Sequence, residues 1–388
     1  MRFQKVLFVH DGPMLQNEEK TVCYGVHYTD ALVSRYNFLG EEVTFLVRSR
    51  QVNKQQAAKY SKISHPSFRF VEVPNYKSIR TMHRKRAAIQ IIRNEVKMAE
   101  VIILRMPSAN ATVAYHVAKE LNKPFIVEMV ACVFDALWNY DWRGKLLAYY
   151  KYWSYKKIIK ESPYVIYVTS KFLQGRYPTN GMQLACSDVI LKEVGTDVLE
   201  KRLNRIMSSI RPIKIITVAA IDVPYKGQAD VIKVLSQCNS ENFEYWIVGQ
   251  GNPEKLQREI ESRKLRNIKI LGSVKHDEVF ELMQQADLYI QPSRQEGLPR
   301  AVVEAMSVAL PILGTDIAGI PELLPEECIY NPNKLENLKS ILLSLNKEQM
   351  KNWSIVNHNK STEFASINLD NKRKQFYENF LNSIAKEE

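Results

Sequence analysis

Short apolar runs alternate along the chain with stretches in which apolar positions return every three or four residues. In the first half the runs Lys5–His10, Glu42–Val47, Val101–Leu104, Pro124–Glu128, Tyr164–Val168 and Asp188–Leu191 read as strands. Helical spacing predicts helices at about 23–38, 78–98, 109–121, 143–160 and 170–176. After Arg211-Pro212 the alternation restarts, with strands at Ile213–Ala219, Glu244–Val248, Ile268–Leu271, Asp287–Ile290 and Pro311–Gly314. Such alternation marks βαβ units and parallel sheets, so the fold class is α/β. A chain of 388 residues suffices for two domains with separate cores. They are expected at 1–200 and 211–365, followed by a terminal amphipathic helix within 366–388.

One segment carries most of the chemistry. The run Asp287–Gln291 feeds a loop holding Glu296, a turn at Gly297, and a helix that Pro299 suits as its first residue and that carries Glu304. A helix N-terminus preceded by free loop amides is a natural diphosphate site. Two carboxylates would repel a diphosphate, so they suit hydroxyl groups beside it. A molecule with a diphosphate flanked by hydroxyls on both sides is a nucleotide-sugar.

Glu296-Gly297 and Glu304, with seven residues between the acids, resemble the Glu-x7-Glu motif of retaining glycosyltransferases of the GT-B fold, family 4. Pro311-Ile-Leu-Gly-Thr-Asp-Ile-Ala-Gly-Ile-Pro-Glu322 is similar to the strand and turn that follow in those enzymes. The resemblance implies two Rossmann-like domains facing a central cleft, the first for acceptor and the second for donor. The terminal helix would cross back to the first domain. Glu296 would act in catalysis, holding sugar hydroxyls near the reacting carbon, and Glu304 would take the ribose hydroxyls. The amides of Gly297 and Leu298 would meet the departing diphosphate, where charge develops.

Further segments match the family in order. Ile215 to Gly227 resembles the strand and loop that end in a Lys-Gly pair, which places Lys226 at the donor diphosphate. Ala220 stands where the family often has Arg or Ser, leaving Arg294 and Arg300 as nearby candidates to complete the phosphate clamp. Tyr245-Trp-Ile-Val-Gly-Gln-Gly251 resembles the Gly-x-Gly turn of the donor site, giving Gly249 and Gly251. Leu271 to His276 is where the family holds the base by backbone groups, so His276 is read as starting a helix. Gly12, after the first strand, is a thin version of the family's glycine-rich donor loop. No Asp-x-Asp pair, with which metal-dependent glycosyltransferases hold a divalent ion, occurs, so the transfer is expected to be metal-independent; the resemblance implies a hexosyl transfer without cofactor from a UDP- or GDP-linked sugar.

On the acceptor side, Pro124 to Asn139 and Tyr167 to Pro178 resemble segments of capsular and cell-surface polysaccharide glycosyltransferases. Asp11 and Glu128 are the acceptor-binding candidates there, and Asp135 the second catalytic one. Many family members have a histidine in this region; none stands here, and His116 falls inside a predicted helix. The expected acceptor is a saccharide or a polyprenyl-diphosphate-linked saccharide. A non-catalytic sugar- or polyanion-binding relative of the same fold is the alternative.

Charge and cysteines narrow the setting. The net charge of +12 is concentrated in residues 1–200, which hold 29 Lys/Arg against 18 Asp/Glu. That asymmetry points to an anionic partner. The stretches Lys77–Arg93 and Leu146–Lys160 mix cations with apolar residues, the second with Trp and Tyr at helical spacing, as at an anionic membrane surface. Solvated lysines over a buried aromatic core are the other reading. No recognised nucleic-acid module is present, and no apolar run is long enough to span a membrane. The first residues lead into a strand rather than a signal peptide, and five scattered cysteines form no Cys-x-x-Cys pair. The expected place is the cytoplasm, either free or peripheral on the inner face of the plasma membrane.

Overall fold

The computed structural model describes residues 2–385 apart from 26–27, 59, 140–141, 190, 192–194, 196 and 209–211. Its first half is built on strands that are parallel along the series Phe68–Glu72, Gly40–Gln51, Phe3–Gln16, Val101–Met106, Phe125–Met129, Tyr164–Tyr167 and Met182–Ala185. Two short strands, Cys23–Gly25 and Ser61–Lys62, extend this sheet antiparallel from the far end of Phe3–Gln16. The second half has an all-parallel sheet in the order Ile268–Gly272, Phe243–Val248, Ile213–Val218, Leu288–Gln291, Ile312–Thr315, Ile329–Tyr330. Helices cover both sheets, so the central strands are buried on both faces and their sequences are continuous Val/Ile/Leu runs.

The structure departs from the sequence reading in particular places. The first strand continues past His10 to Gln16, with a register irregularity between Val9 and Pro13. The expected helix at 23–38 is cut to Asp30–Asn37, because Cys23–Gly25 pairs with the sheet edge. The seventh parallel strand is Met182–Ala185 instead of Asp188–Leu191, of which Ile190 lies outside the described residues. Leu191 makes only an isolated bridge to Ala365. The helix Val198–Ser208 begins inside the span assigned to the first half but packs on the second. Its buried Arg202 donates to the carbonyls of Met283, Ala286 and Val308.

The C-terminal helix Ser366–Ile384 packs on the first half. Leu369, Phe376, Tyr377, Phe380 and Leu381 share a core with Phe3, Val6, Phe45, Val101 and Ile166. An ion network lies against it. Asp188 pairs with Arg35 at 3.0 Å, with Arg105, and at 3.9 Å with Arg373 of that helix. Burial alone would raise the Asp188 carboxyl, but the guanidinium groups of Arg105, Arg35 and Arg373 hold it far below the ordinary range. Removing Asp188 leaves clustered cations short of a counter-charge. We expect Asp188→Ala to lose about 2 to 3 kcal/mol in urea unfolding. Asp370→Ala, which removes an exposed partner of Arg373, should cost less than about 0.5 kcal/mol. Equal losses would show that the network does not anchor the helix.

Candidate functional site

Because the second sheet is parallel, the loops after its strands gather at one edge, where open α/β sheets bind ligands. The loop after Ile213–Val218 ends in a 3-10 turn, Pro224–Lys226, closed by Gly227 in the left-handed region at φ 78°. A Cβ on Gly227 would sit 2.0 Å from the carbonyl oxygen of Pro292, so only glycine lets this loop lie against the next. The amide of Arg294 donates to the Tyr225 carbonyl at 2.7 Å and fastens the two loops together.

That fastening brings Lys226 to Glu296. The Lys226 ammonium donates to Glu296 Oε1 at 2.6 Å, and Gln291 Nε2 donates to the same oxygen at 3.1 Å. Among the described residues nothing donates to Glu296 Oε2. Gln291 is itself held, since its Oε1 accepts from the Tyr289 hydroxyl at 2.7 Å and its Nε2 also reaches Ser293 Oγ at 2.8 Å. Gln291 was not among the sequence candidates. Its place as the last residue of the strand before the acidic loop was the available signal.

Glu304 is the fifth residue of the helix Arg300–Ser307 and only 7 % exposed. Pro299 stands one position before that helix, as its N-cap, rather than first in it. Among the described residues no donor reaches the Glu304 carboxylate. Burial pushes this carboxyl up to about 7, against a smaller opposing pull from Arg300. The charges of Glu296 and Glu304 both act on the Tyr289 hydroxyl, which burial above all holds far above its ordinary value. The two acids therefore flank one strand end. Gly249 and Gly251 follow the strand Phe243–Val248, on the far side of Ile213–Val218 from those acids, with φ of 153° and 129°. Asp222 crowds Gly251, its Oδ1 lying 2.4 Å from where a Cβ would be.

The cation candidates divide. Arg294 turns to Asp230 at 2.8 Å and to Asn333 and Pro332, while Arg300 is exposed. Leu298 and Gly297 lie where the halves meet. A Cβ on Gly297 would stand 2.6 Å from the Val130 carbonyl of the first half, so a side chain there would push the halves apart. Close by, the Glu322 carboxylate accepts from Ser170 N at 2.6 Å, Ser170 Oγ at 2.7 Å and Lys171 N at 3.1 Å, and from Phe172 N. Thus an acid of the second half caps the helix Phe172–Arg176 of the first. The sequence placed Glu322 in a turn without giving it this task.

The acceptor-side candidates are more enclosed. Asp11 accepts from Ala109 N at 2.7 Å and Asn110 N at 3.1 Å at the start of the helix Ala109–Glu120, and pairs with Lys77. Burial works to raise its carboxyl, but Lys77 and the two amides together lower it. Gly12 lies in the irregular part of the first strand, not in a loop beyond it, and Tyr28 crowds it. Glu128 is 4 % exposed, with its oxygens taken by the Tyr36 hydroxyl at 2.9 Å and Arg105 at 3.1 Å. Asp135 sits on the short helix Val133–Trp138 and pairs with Arg176 at 2.9 Å. His116 is inside the helix Ala109–Glu120 and His276 opens the helix His276–Gln285. Among the described residues no group of three or more His, Cys, Asp or Glu could hold a metal ion.

Residues 212–347, the span holding Lys226, Glu296 and Glu304, match the family model described as Glycosyl transferases group 1. The chain carries a group 1 glycosyl transferase domain. It is 27 % identical to Protein CapJ of Staphylococcus aureus over 95 % of this chain and 92 % of that protein. It is 37 % identical over 109 residues to the phosphatidylinositol N-acetylglucosaminyltransferase GPI3 subunit of Saccharomyces cerevisiae, covering 27 % of this chain and 24 % of that one. The crystal structure of Anabaena HepE in complex with UDP is similar at a TM-score of 0.69 and 14 % identity, over 98 % of this chain and 100 % of that one. The glycosyltransferase WaaG gives a TM-score of 0.63 at 18 % identity, over 95 % of this chain and 98 % of that one. The fold is GT-B, two parallel-sheet domains facing each other.

The unpartnered Glu304 has a consequence for stability. Between pH 4.5 and about 7 the folded chain keeps a proton that the unfolded chain releases. Its contribution is therefore full below the unfolded pKa and is lost as pH rises through about 7. Glu304→Gln should be more stable than the parent at about pH 8, by on the order of 2 kcal/mol, with the gap narrowing towards about pH 5. A Gln variant less stable at the higher pH would mean that the carboxylate has a favourable partner in the folded chain.

Proposed function

We propose that the chain is a retaining, metal-independent glycosyltransferase that moves a hexose from a UDP- or GDP-linked donor. The acceptor is a saccharide or polyprenyl-diphosphate-linked saccharide in the synthesis of a surface polysaccharide such as a capsule. The observation that carries this reading is the Lys226–Glu296 pair, with one carboxylate oxygen unpartnered and Glu304 buried without a donor among the described residues, at the carboxyl edge of the second sheet. The UDP and UDP-glucose complexes of HepE support a uridine nucleotide as donor.

In the absence of donor, Lys226 and Glu296 neutralise each other. A donor diphosphate draws the ammonium to its oxygens, and Glu296 is released to accept from sugar hydroxyls. Glu304 takes the ribose hydroxyls and gains in the complex the donors it lacks in the free chain. As the bond between the sugar carbon and the diphosphate oxygen breaks, the electron pair goes to the diphosphate, stabilised by Lys226 and the amides of Gly297 and Leu298. The acceptor oxygen bonds to the same carbon on the same face, and its proton passes to the leaving phosphate. No side-chain base is then required, which accords with Asp135 being paired to Arg176. Asp135 serves instead to orient the acceptor. The work is done in the cytoplasm, at the inner face of the plasma membrane.

Thermal melting with UDP, GDP and ADP, each with and without EDTA, tests this reading. At ~100 times its dissociation constant a nucleotide stabilises by roughly 2.7 kcal/mol. One nucleotide should raise the melting temperature equally with and without EDTA, and Lys226→Met should remove most of that rise. A rise that EDTA abolishes would overturn metal independence. No rise with any nucleotide would favour the non-catalytic sugar- or polyanion-binding relative.

A further inference from the structure

The helix Trp142–Glu161 is apolar on two faces. Gly144, Ala148, Tyr155, Ile158 and Ile159 form the buried face. Trp142, Leu146, Tyr149, Tyr150 and Trp153 follow at helical spacing on the opposite one. These five are 58 to 72 % exposed, where a surface helix would present charged and polar residues. A contiguous exposed stripe of this kind marks a contact surface.

Its charge says what the contact is. The helix has six Lys/Arg and a single acid, Glu161, at its very end and paired with Lys119 at 2.8 Å. The cations lie beside the aromatic rings: Arg143 is 5.3 Å from the centre of Trp142, Lys151 5.8 Å from Tyr150 and Lys156 5.2 Å from Trp153. Two copies of this chain meeting through the stripe would oppose lysine to lysine across a two-fold axis. Trp and Tyr rings ringed by cations instead suit the boundary between lipid headgroups and acyl chains. Among the described residues no helix is long and apolar enough to cross a membrane, so the contact lies along the surface.

We propose that this face of the helix Trp142–Glu161 docks on an anionic lipid bilayer, with the Trp, Leu and Tyr side chains at headgroup level and the flanking cations on lipid phosphates. The stripe is joined to the cleft. Tyr149 packs edge-on against Phe134 at 5.2 Å and Trp138 at 6.1 Å, on the short helix that carries Asp135. That helix starts three residues after Val130, whose carbonyl meets Gly297 of the donor loop. A bilayer against the stripe therefore holds the acceptor side of the cleft at the height of a lipid-borne diphosphate. This deepens the membrane side of the proposed function and stands apart from the sugar transfer itself.

The test is co-sedimentation of the full chain, without nucleotide, with vesicles of phosphatidylcholine alone or mixed with phosphatidylglycerol, together with tryptophan emission. We expect binding to the anionic vesicles at least about tenfold tighter than to the neutral ones, weakening with salt, with a blue shift in emission. The variant Trp142→Ser/Leu146→Ser/Trp153→Ser should lose about tenfold or more of that binding at an unchanged melting temperature. Binding that survives the triple substitution, or no preference for anionic vesicles, would overturn the proposal. So would a parent dimer in light scattering that the triple variant breaks into monomers. The vesicles carry no donor, so failure here leaves the nucleotide reading standing, and failure of nucleotides to bind leaves this one standing.

Discussion

A carboxylate that reaches from one half of the molecule to the other sets the geometry on which the site depends. Glu322 belongs to the second half, yet its hydrogen bonds are to the amides that open the helix Phe172–Arg176 of the first half. Beside it the backbones come so close that Gly297 leaves no space for a side chain against Val130. The loop at Gly297 therefore cannot move without disturbing the first half.

Within that cleft the free chain stores unsatisfied chemistry. Lys226 and Glu296 are paired with each other, and Glu304 is buried with no donor among the described residues. Such an acid costs stability unless a ligand completes it. The same economy is absent from the first half, where Asp11, Glu128 and Asp135 are each tied to a lysine, arginine or backbone amide. In the free chain those ties hold the acids to neighbouring helices and strands.

The sequence was legible where hydrophobic period and local motif coincide. The second half is nearly all of this kind: five of its six strands and the Glu296 loop follow from apolar runs and glycine placement, and the loop ending at Lys226-Gly227 from the family resemblance. It failed where tertiary contacts override local pattern. Cys23–Gly25 joins a sheet edge that helical spacing does not foresee, and Met182–Ala185 is too polar and exposed to read as a strand. Glu322 was invisible for a different reason: it acts through a tertiary contact that no spacing rule reports, whereas Gln291 had only its place at the end of the strand as a signal. The aromatic helix was ambiguous because lysines and aromatics alternate over two faces, and only the fold decides which face is buried.

The most direct test of the account is to follow the donor by NMR. The full chain would be incubated with UDP- and GDP-linked hexoses and short saccharide acceptors, and the anomeric signal of the first product recorded. The account predicts release of one nucleoside diphosphate and a new glycoside with the donor's own anomeric configuration, both lost in Glu296→Gln. A product of inverted configuration, or full turnover by the Glu296→Gln variant, would contradict it.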